Sequence, residues 1–161
     1  VGYLTQWANG IRGYFVEVDL LSIDPGVHKS AVAFWHVNAL VFADDLKNDE
    51  VFRLIKAVGY ARVVIETPVL YPTKRKQHKD VNDLLNVVKA MKGAAQTVVG
   101  VSPSAWKGQV PKKIHGNRIF NELSREEILA VVSIENHNTI DAIGLGLWVL
   151  GRLGRGGGRA R

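Results

Sequence analysis

Three acidic residues stand where apolar stretches end or are interrupted. Asp24 closes the run Val18-Asp19-Leu20-Leu21-Ser22-Ile23 and is followed at once by Pro25-Gly26. Glu66 closes Arg62-Val63-Val64-Ile65, and Asp141 interrupts the apolar stretch that runs from Ile140 to Leu150. The three would share a site if Asp24 and Glu66 ended neighbouring strands and the segment carrying Asp141 passed over both. Carboxylates gathered in a chain without cysteine offer oxygen donors only, which suits hard cations such as Mg²⁺ or Mn²⁺ better than zinc. An acidic residue in so apolar a segment is otherwise explained by hydrogen bonding or partial exposure.

The elements needed to bring them together follow in chain order. Residues 15–23 read as a mostly buried strand ending in a Pro-Gly turn, in which Pro sets φ at the first central position and Gly accepts positive φ at the second. The apolar run 30–37 should pair back as an antiparallel hairpin, with 40–43 adding a third, outer strand. Val51, Leu54, Ile55 and Val58 recur at helical spacing within 48–60, and Gly59 ends that helix. The β-branched run 62–66 is then reached through a helix, so it should lie parallel to the first strand after a right-handed crossover. Asp24 and Glu66 would meet at the carboxyl ends of adjacent parallel strands, where open α/β sheets hold their sites.

Beyond Glu66, a polar loop leads to a helix over 80–95 with Val81, Leu84, Leu85, Val88 and Met91 inward or at a subunit interface, and 97–102 supplies another parallel strand. Residues 103–120 read as a loop entering a basic helix. Ser124-Arg125-Glu126-Glu127 is a capping box for a short helix through Val132. The last helix spans 135–153 with Asn136 as N-cap, and its Asp141 shares a face with His137 and Asn138 at i−4 and i−3. The whole is α/β: a mixed five-stranded sheet, first three strands antiparallel and later ones parallel to the first, flanked by helices.

A length of 161 residues with 47% apolar and 22% charged residues suits one globular domain. Residues 1–14 read as an extension or expression remnant, which the absence of an initiating Met fits, 15–151 as the folded domain, and 152–161 as a Gly/Arg-rich basic tail. Apolar runs are too short to cross a bilayer and no signal peptide is visible, so a bacterial or phage-infected host cytoplasm is expected. The net charge of +6 is local. Lys74, Arg75, Lys76 and Lys79 form one cluster, and Arg152, Arg155, Arg159 and Arg161 another, as a polyanion-binding surface would need.

The order of these elements resembles the RNase H-like fold, and the local sequences resemble the RuvC family of Holliday junction resolvases, in the style of a phage member. The resemblance rests on Leu21-Ser22-Ile23-Asp24-Pro25-Gly26, Val63-Val64-Ile65-Glu66, Gln96-Thr97-Val98-Val99-Gly100-Val101, Trp106-Lys107-Gly108 and Asn138-Thr139-Ile140-Asp141-Ala142, within about residues 18–150. It implies a symmetric homodimer that cuts four-way DNA junctions by hydrolysis with two Mg²⁺ or Mn²⁺ ions about 4 Å apart. Asp24 would bridge both ions, Glu66 would bind one, and Asp141 would complete the site. Family members usually place Asp or His three residues before the last Asp. Here that residue is Asn138, and His137 is the alternative ligand.

Lys74, Arg75, Lys76 and Lys79 would then flank the scissile phosphate, and Trp106, Lys107, Lys112, Lys113 and Arg118 would lie along further DNA. Contacts of this kind position DNA without reading its sequence. Tyr71 is the nearest aromatic to the place from which the family opens the junction, although Val69 holds the expected spacing. Helix 80–95 is the expected dimer contact. The alternatives are a different RNase H-like nuclease acting on branched DNA or RNA-DNA hybrids, and a junction-binding protein with a disabled site.

Overall fold

The computed structural model describes residues 2–4, 16–59, 61–70, 78–95 and 98–153. Seven strands and six helices follow one another within them: β1 (Gly2–Leu4), β2 (Val16–Val18), β3 (Leu20–Asp24), β4 (Lys29–His36), β5 (Ala39–Lys47), α1 (Asn48–Ala57), β6 (Arg62–Glu66), α2 (His78–Gly93), β7 (Val98–Val101), α3 (Pro103–Trp106), α4 (Lys112–Glu122), α5 (Arg125–Leu129) and α6 (His137–Val149). Five strands form the main sheet in the order β5-β4-β3-β6-β7, while β1 and β2 pair separately. β3, β4 and β5 are antiparallel, whereas β6 is parallel to β3 and β7 to β6. This is the expected mixed sheet.

Boundaries depart from expectation for local reasons. The strand expected over 15–23 divides at Asp19, because Val16–Val18 leaves the main sheet to pair with Gly2–Leu4. β5 extends past Ala43 to Lys47, carrying Asp44 and Asp45 in a ladder with β4 that ends at the pair Lys29 and Lys47. The basic helix begins only at Lys112, because Gly108 turns the chain at φ +62° and Pro111 precedes the first helical residue. The helix after Ser124 stops at Leu129, since Val131 bridges Ala43 on the open edge of β5. Asn136 caps α6 as expected, its side chain accepting from the Asn138 amide at 2.9 Å.

Each face of the sheet carries its own core. On one side α1 and α2 bring Val51, Leu54, Ile55, Val88 and Met91 against Leu21, Ile23, Val32, Phe34, Val63 and Ile65. On the other, α6 lies over β3 and β4 with Ile143 and Leu147 among Leu20, Ala33, Trp35 and Val64. α6 can approach this closely because Gly144 and Gly146 stand where it meets Trp106 and Trp35. A Cβ on Gly146 would overlap the Trp35 indole, and one on Gly144 would lie 2.6 Å from Trp106 Cζ3. A polar tie crosses the same layer: Ser22 Oγ donates to the Ala142 carbonyl at 2.7 Å and accepts from Trp35 Nε1 at 3.0 Å. Ser22 lies two residues before Asp24 and Ala142 one after Asp141, so the packing that seats α6 also sets where Asp141 stands above the sheet.

Candidate active site

Asp24 and Glu66 each follow the last register pair of their parallel strands, Ile23 with Ile65. Side chains alternate along a strand, so both lie on the face that carries Ser22 and Val64 and that α6 covers. Asp141 projects from that helix. The expected three carboxylates therefore gather at one end of the sheet, and Lys107 stands among them. Its ammonium is 2.9 Å from Glu66 Oε2 and donates to Asp141 Oδ2 at 2.8 Å. Trp106 Nε1 donates to Glu66 Oε2 at 2.9 Å, and the Lys107 ammonium lies 4.9 Å from the Trp106 ring centroid.

The charges are unequally compensated. Asp24 accepts no side-chain hydrogen bond from the described residues and lies in the field of Glu66, Asp141 and Asp45, with Lys107 opposing them. Burial first, and repulsion by Glu66 second, hold its carboxyl well above the ordinary carboxylate range. For Lys107, burial works to lower the ammonium's pKa, but Glu66 and Asp141 together outweigh it and raise the value, so the cation persists. His115 of α4 is 5% exposed, stacks at 5.0 Å on Trp106, and brings Nε2 to 3.9 Å from Asp141 Oδ1. Burial, ahead of the neighbouring charges, lowers its pKa and keeps the imidazole neutral. Asp45 lies in the same cross-strand row as Asp24, separated from it by Ala31, and its Oδ1 is buried without a hydrogen-bond partner.

No family model matches the chain, and no curated protein matches it in sequence. Among solved structures it is similar to RuvC of Thermus thermophilus in complex with a Holliday junction substrate, at a TM-score of 0.56 and 17% identity over 80% of this chain and 89% of that one. The fold is that of RuvC. A second structure of the Thermus thermophilus RuvC is similar at a TM-score of 0.45 and 15% identity over 83% of this chain and 96% of that one. At such identities the likeness is one of fold, and what the RuvC-like scaffold carries must be judged from its side chains.

As a metal site those side chains fit in type. Asp24, Glu66 and Asp141 are hard oxygen donors, and a cation would stabilise the ionised form of Asp24 that burial and Glu66 disfavour. Their arrangement is not a formed cage: among the described residues no group of three or more His, Asp or Glu converges closely enough to hold an ion. Lys107, bound to Glu66 and Asp141, takes the place of a compensating cation. His137 and Asn138 are both exposed in the first turn of α6, and His137 borders the same cavity as Asp141 and Lys107.

The other expected residues distribute unevenly. Trp106, expected along the DNA, is 5% exposed and holds Glu66 instead. Lys107, expected on the DNA backbone, is tied to two carboxylates because it directly follows Trp106 at the end of α3, beneath α6. Lys112 and Lys113 are exposed at the start of α4, Arg118 is half-buried farther along it, and Lys79 is exposed on α2. Tyr71, Lys74, Arg75 and Lys76 lie outside the described residues. Sequence reasoning missed His115 and Asp45 as neighbours of the site. Asp45 could have been found from strand register, whereas no spacing rule links His115 of α4 to Asp141 of α6.

Proposed function

We propose that this chain is a divalent-metal-dependent endonuclease that resolves four-way DNA junctions by hydrolysing phosphodiesters. The observation that carries this reading is the convergence of Asp24, Glu66 and Asp141 at one end of the sheet around Lys107. Asp24 and Glu66 are the residues that would hold the metal first, with Asp141 joining when Lys107 gives up its carboxylate. Two Mg²⁺ or Mn²⁺ ions bound there would supply a water activated as nucleophile and charge to stabilise the leaving oxygen. Trp106 keeps Glu66 oriented. Lys107, once released, is a cation for the phosphate that enters. His137, and less readily the neutral amide of Asn138, would serve as the further ligand.

The substrate class is supported by the similar RuvC, whose structure contains a Holliday junction. Lys79, Lys112, Lys113 and Arg118, together with Tyr71, Lys74, Arg75 and Lys76, would line the path of the DNA. A homodimer would offer two such sites to two like strands of a junction. α2 supports this assembly, since Val81, Leu84 and Leu85 remain only partly covered while Val88 and Met91 are buried. The protein would act as a cytoplasmic enzyme, with residues 15–151 as its catalytic unit. Among the described residues no helix is long and apolar enough to cross a membrane.

A labelled four-way junction, beside duplex, flap and RNA-DNA hybrid, in Mg²⁺, Mn²⁺ and EDTA tests this reading, with Glu66→Gln as control. Paired symmetric nicks in the junction, abolished by EDTA and by the substitution, are expected. Cleavage confined to flap or hybrid would assign another nuclease of the same fold. One observation favours a second reading: Lys107 already neutralises two of the three carboxylates, as in a site that binds junctions without cutting them. Tight junction binding without nicks in either metal would establish that reading.

A further inference from the structure

We propose that the first turn of α4, with Lys112 and the imidazole of His115, is a binding site for a phosphate group. In the nuclease proposed above, and resting on that reading, it holds a backbone phosphate next to the scissile one.

A cavity beside the carboxylates is bordered by Lys107, Lys112, His115, Gly116, His137 and Asp141. α4 opens onto it with Pro111 as N-cap, which offers no side-chain acceptor, and no acidic residue lies in the helix's first turn. The first intrahelical bond runs from the His115 amide to the Pro111 carbonyl at 2.9 Å. The amides of Lys112, Lys113 and Ile114 precede it and are left as donors at the positive end of the helix dipole. Such a turn is suited to an anion.

His115 is the independent sign of a ligand. Its ring is 5% exposed, yet neither Nδ1 nor Nε2 has a hydrogen-bond partner among the described residues. Asp141 Oδ1 at 3.9 Å is beyond hydrogen-bonding range, and Asp141 Oδ2 is engaged by Lys107. Buried polar atoms in native proteins are almost always matched, so these two ring nitrogens call for a polar partner on the cavity side. Lys107 on this wall is already balanced by Glu66 and Asp141, so the exposed Lys112 and the helix's positive end are what favour an anion as that partner. Gly116 keeps the wall open, for among the described residues no atom lies within 4 Å of where its Cβ would be.

The test is titration of inorganic phosphate into the isotope-labelled full chain at constant ionic strength, followed by NMR of the amides of Lys112, Lys113 and Ile114 and of the His115 ring. Saturable shifts confined to these groups are expected. Lys112→Ala and His115→Gln should each weaken binding at least about tenfold, the effect of losing one hydrogen bond to a charged group. Lys112 is exposed, so its substitution keeps the test valid if His115→Gln disturbs the core; Lys56→Ala on α1 should change nothing. Shifts that stay linear in phosphate, or an affinity unaltered by Lys112→Ala, would overturn the proposal. No nucleic acid enters the titration, so its failure leaves the nuclease reading standing, and an uncut junction leaves the phosphate site standing.

Discussion

Ser22 Oγ donates to the carbonyl of Ala142 at 2.7 Å, joining the strand that carries Asp24 to the helix that carries Asp141. Both partners are buried, and the same hydroxyl accepts from Trp35 Nε1 at 3.0 Å. Ser22→Ala would leave the buried indole N–H of Trp35 unmatched, at a cost of about 1–3 kcal/mol. In urea the unfolding midpoint should fall with an unchanged slope, and junction cleavage should fall further than stability alone explains, because the tie also places Asp141. An unaltered midpoint would show that water replaces the hydroxyl without loss.

Lys107 and a metal ion compete for the same oxygens. With its ammonium 2.8 Å from Asp141 and 2.9 Å from Glu66, any ion that uses those carboxylates must displace it. Lys107→Met keeps the length of the side chain and removes the charge. Mn²⁺ affinity, read by electron paramagnetic resonance of the free ion, should rise at least about tenfold, or 1.4 kcal/mol. An unchanged affinity would mean that the lysine moves aside at no cost.

The fold disfavours the ionised form of Asp24. Because its folded pKa is raised by burial and by Glu66, folding is favoured by its protonated form. That contribution is present at acid pH and is lost as pH rises through the folded value. Near neutral pH and without divalent ions, Asp24→Asn should therefore unfold at a higher temperature than the parent, while cleavage in saturating Mg²⁺ falls to background. A variant that is no more stable, or that still cuts, would contradict the placement of this carboxylate.

Much of this frame was legible because it rests on periodicity. The alternation and β-branching of 62–66 and the helical spacing of Val51, Leu54, Ile55 and Val58 specified a crossover, and that crossover placed Glu66 beside Asp24. What was not legible depends on contacts between remote segments. Asp44 and Asp45 are poor strand residues, so the sequence predicts a strand that ends at Ala43, yet pairing with β4 carries β5 to Lys47. Trp106 and Lys107 read as surface for DNA because their neighbours are basic. Only the three-dimensional packing of α3 beneath α6 shows that they face Glu66 and Asp141.

Far from this site, Glu127 and Arg152 clasp the carboxyl end of α6 to α5 and the β4–β5 turn. Glu127 accepts from Arg152 Nη2 and from the Leu40 amide, each at 2.8 Å, while Arg152 Nη1 also donates to the Asn38 carbonyl. Burial would raise the Glu127 carboxyl, but Arg152 and the backbone donors prevail and lower it from 4.5 to about 2. A depressed carboxylate stabilises the fold above its unfolded pKa, and that contribution is lost as pH falls through the folded value. The shift corresponds to about 3 kcal/mol near neutral pH. Urea unfolding of the parent and of Glu127→Gln should differ by roughly this amount at pH 7 and converge as the pH approaches about 2. A gap that persists at low pH would locate the effect in packing and not in charge.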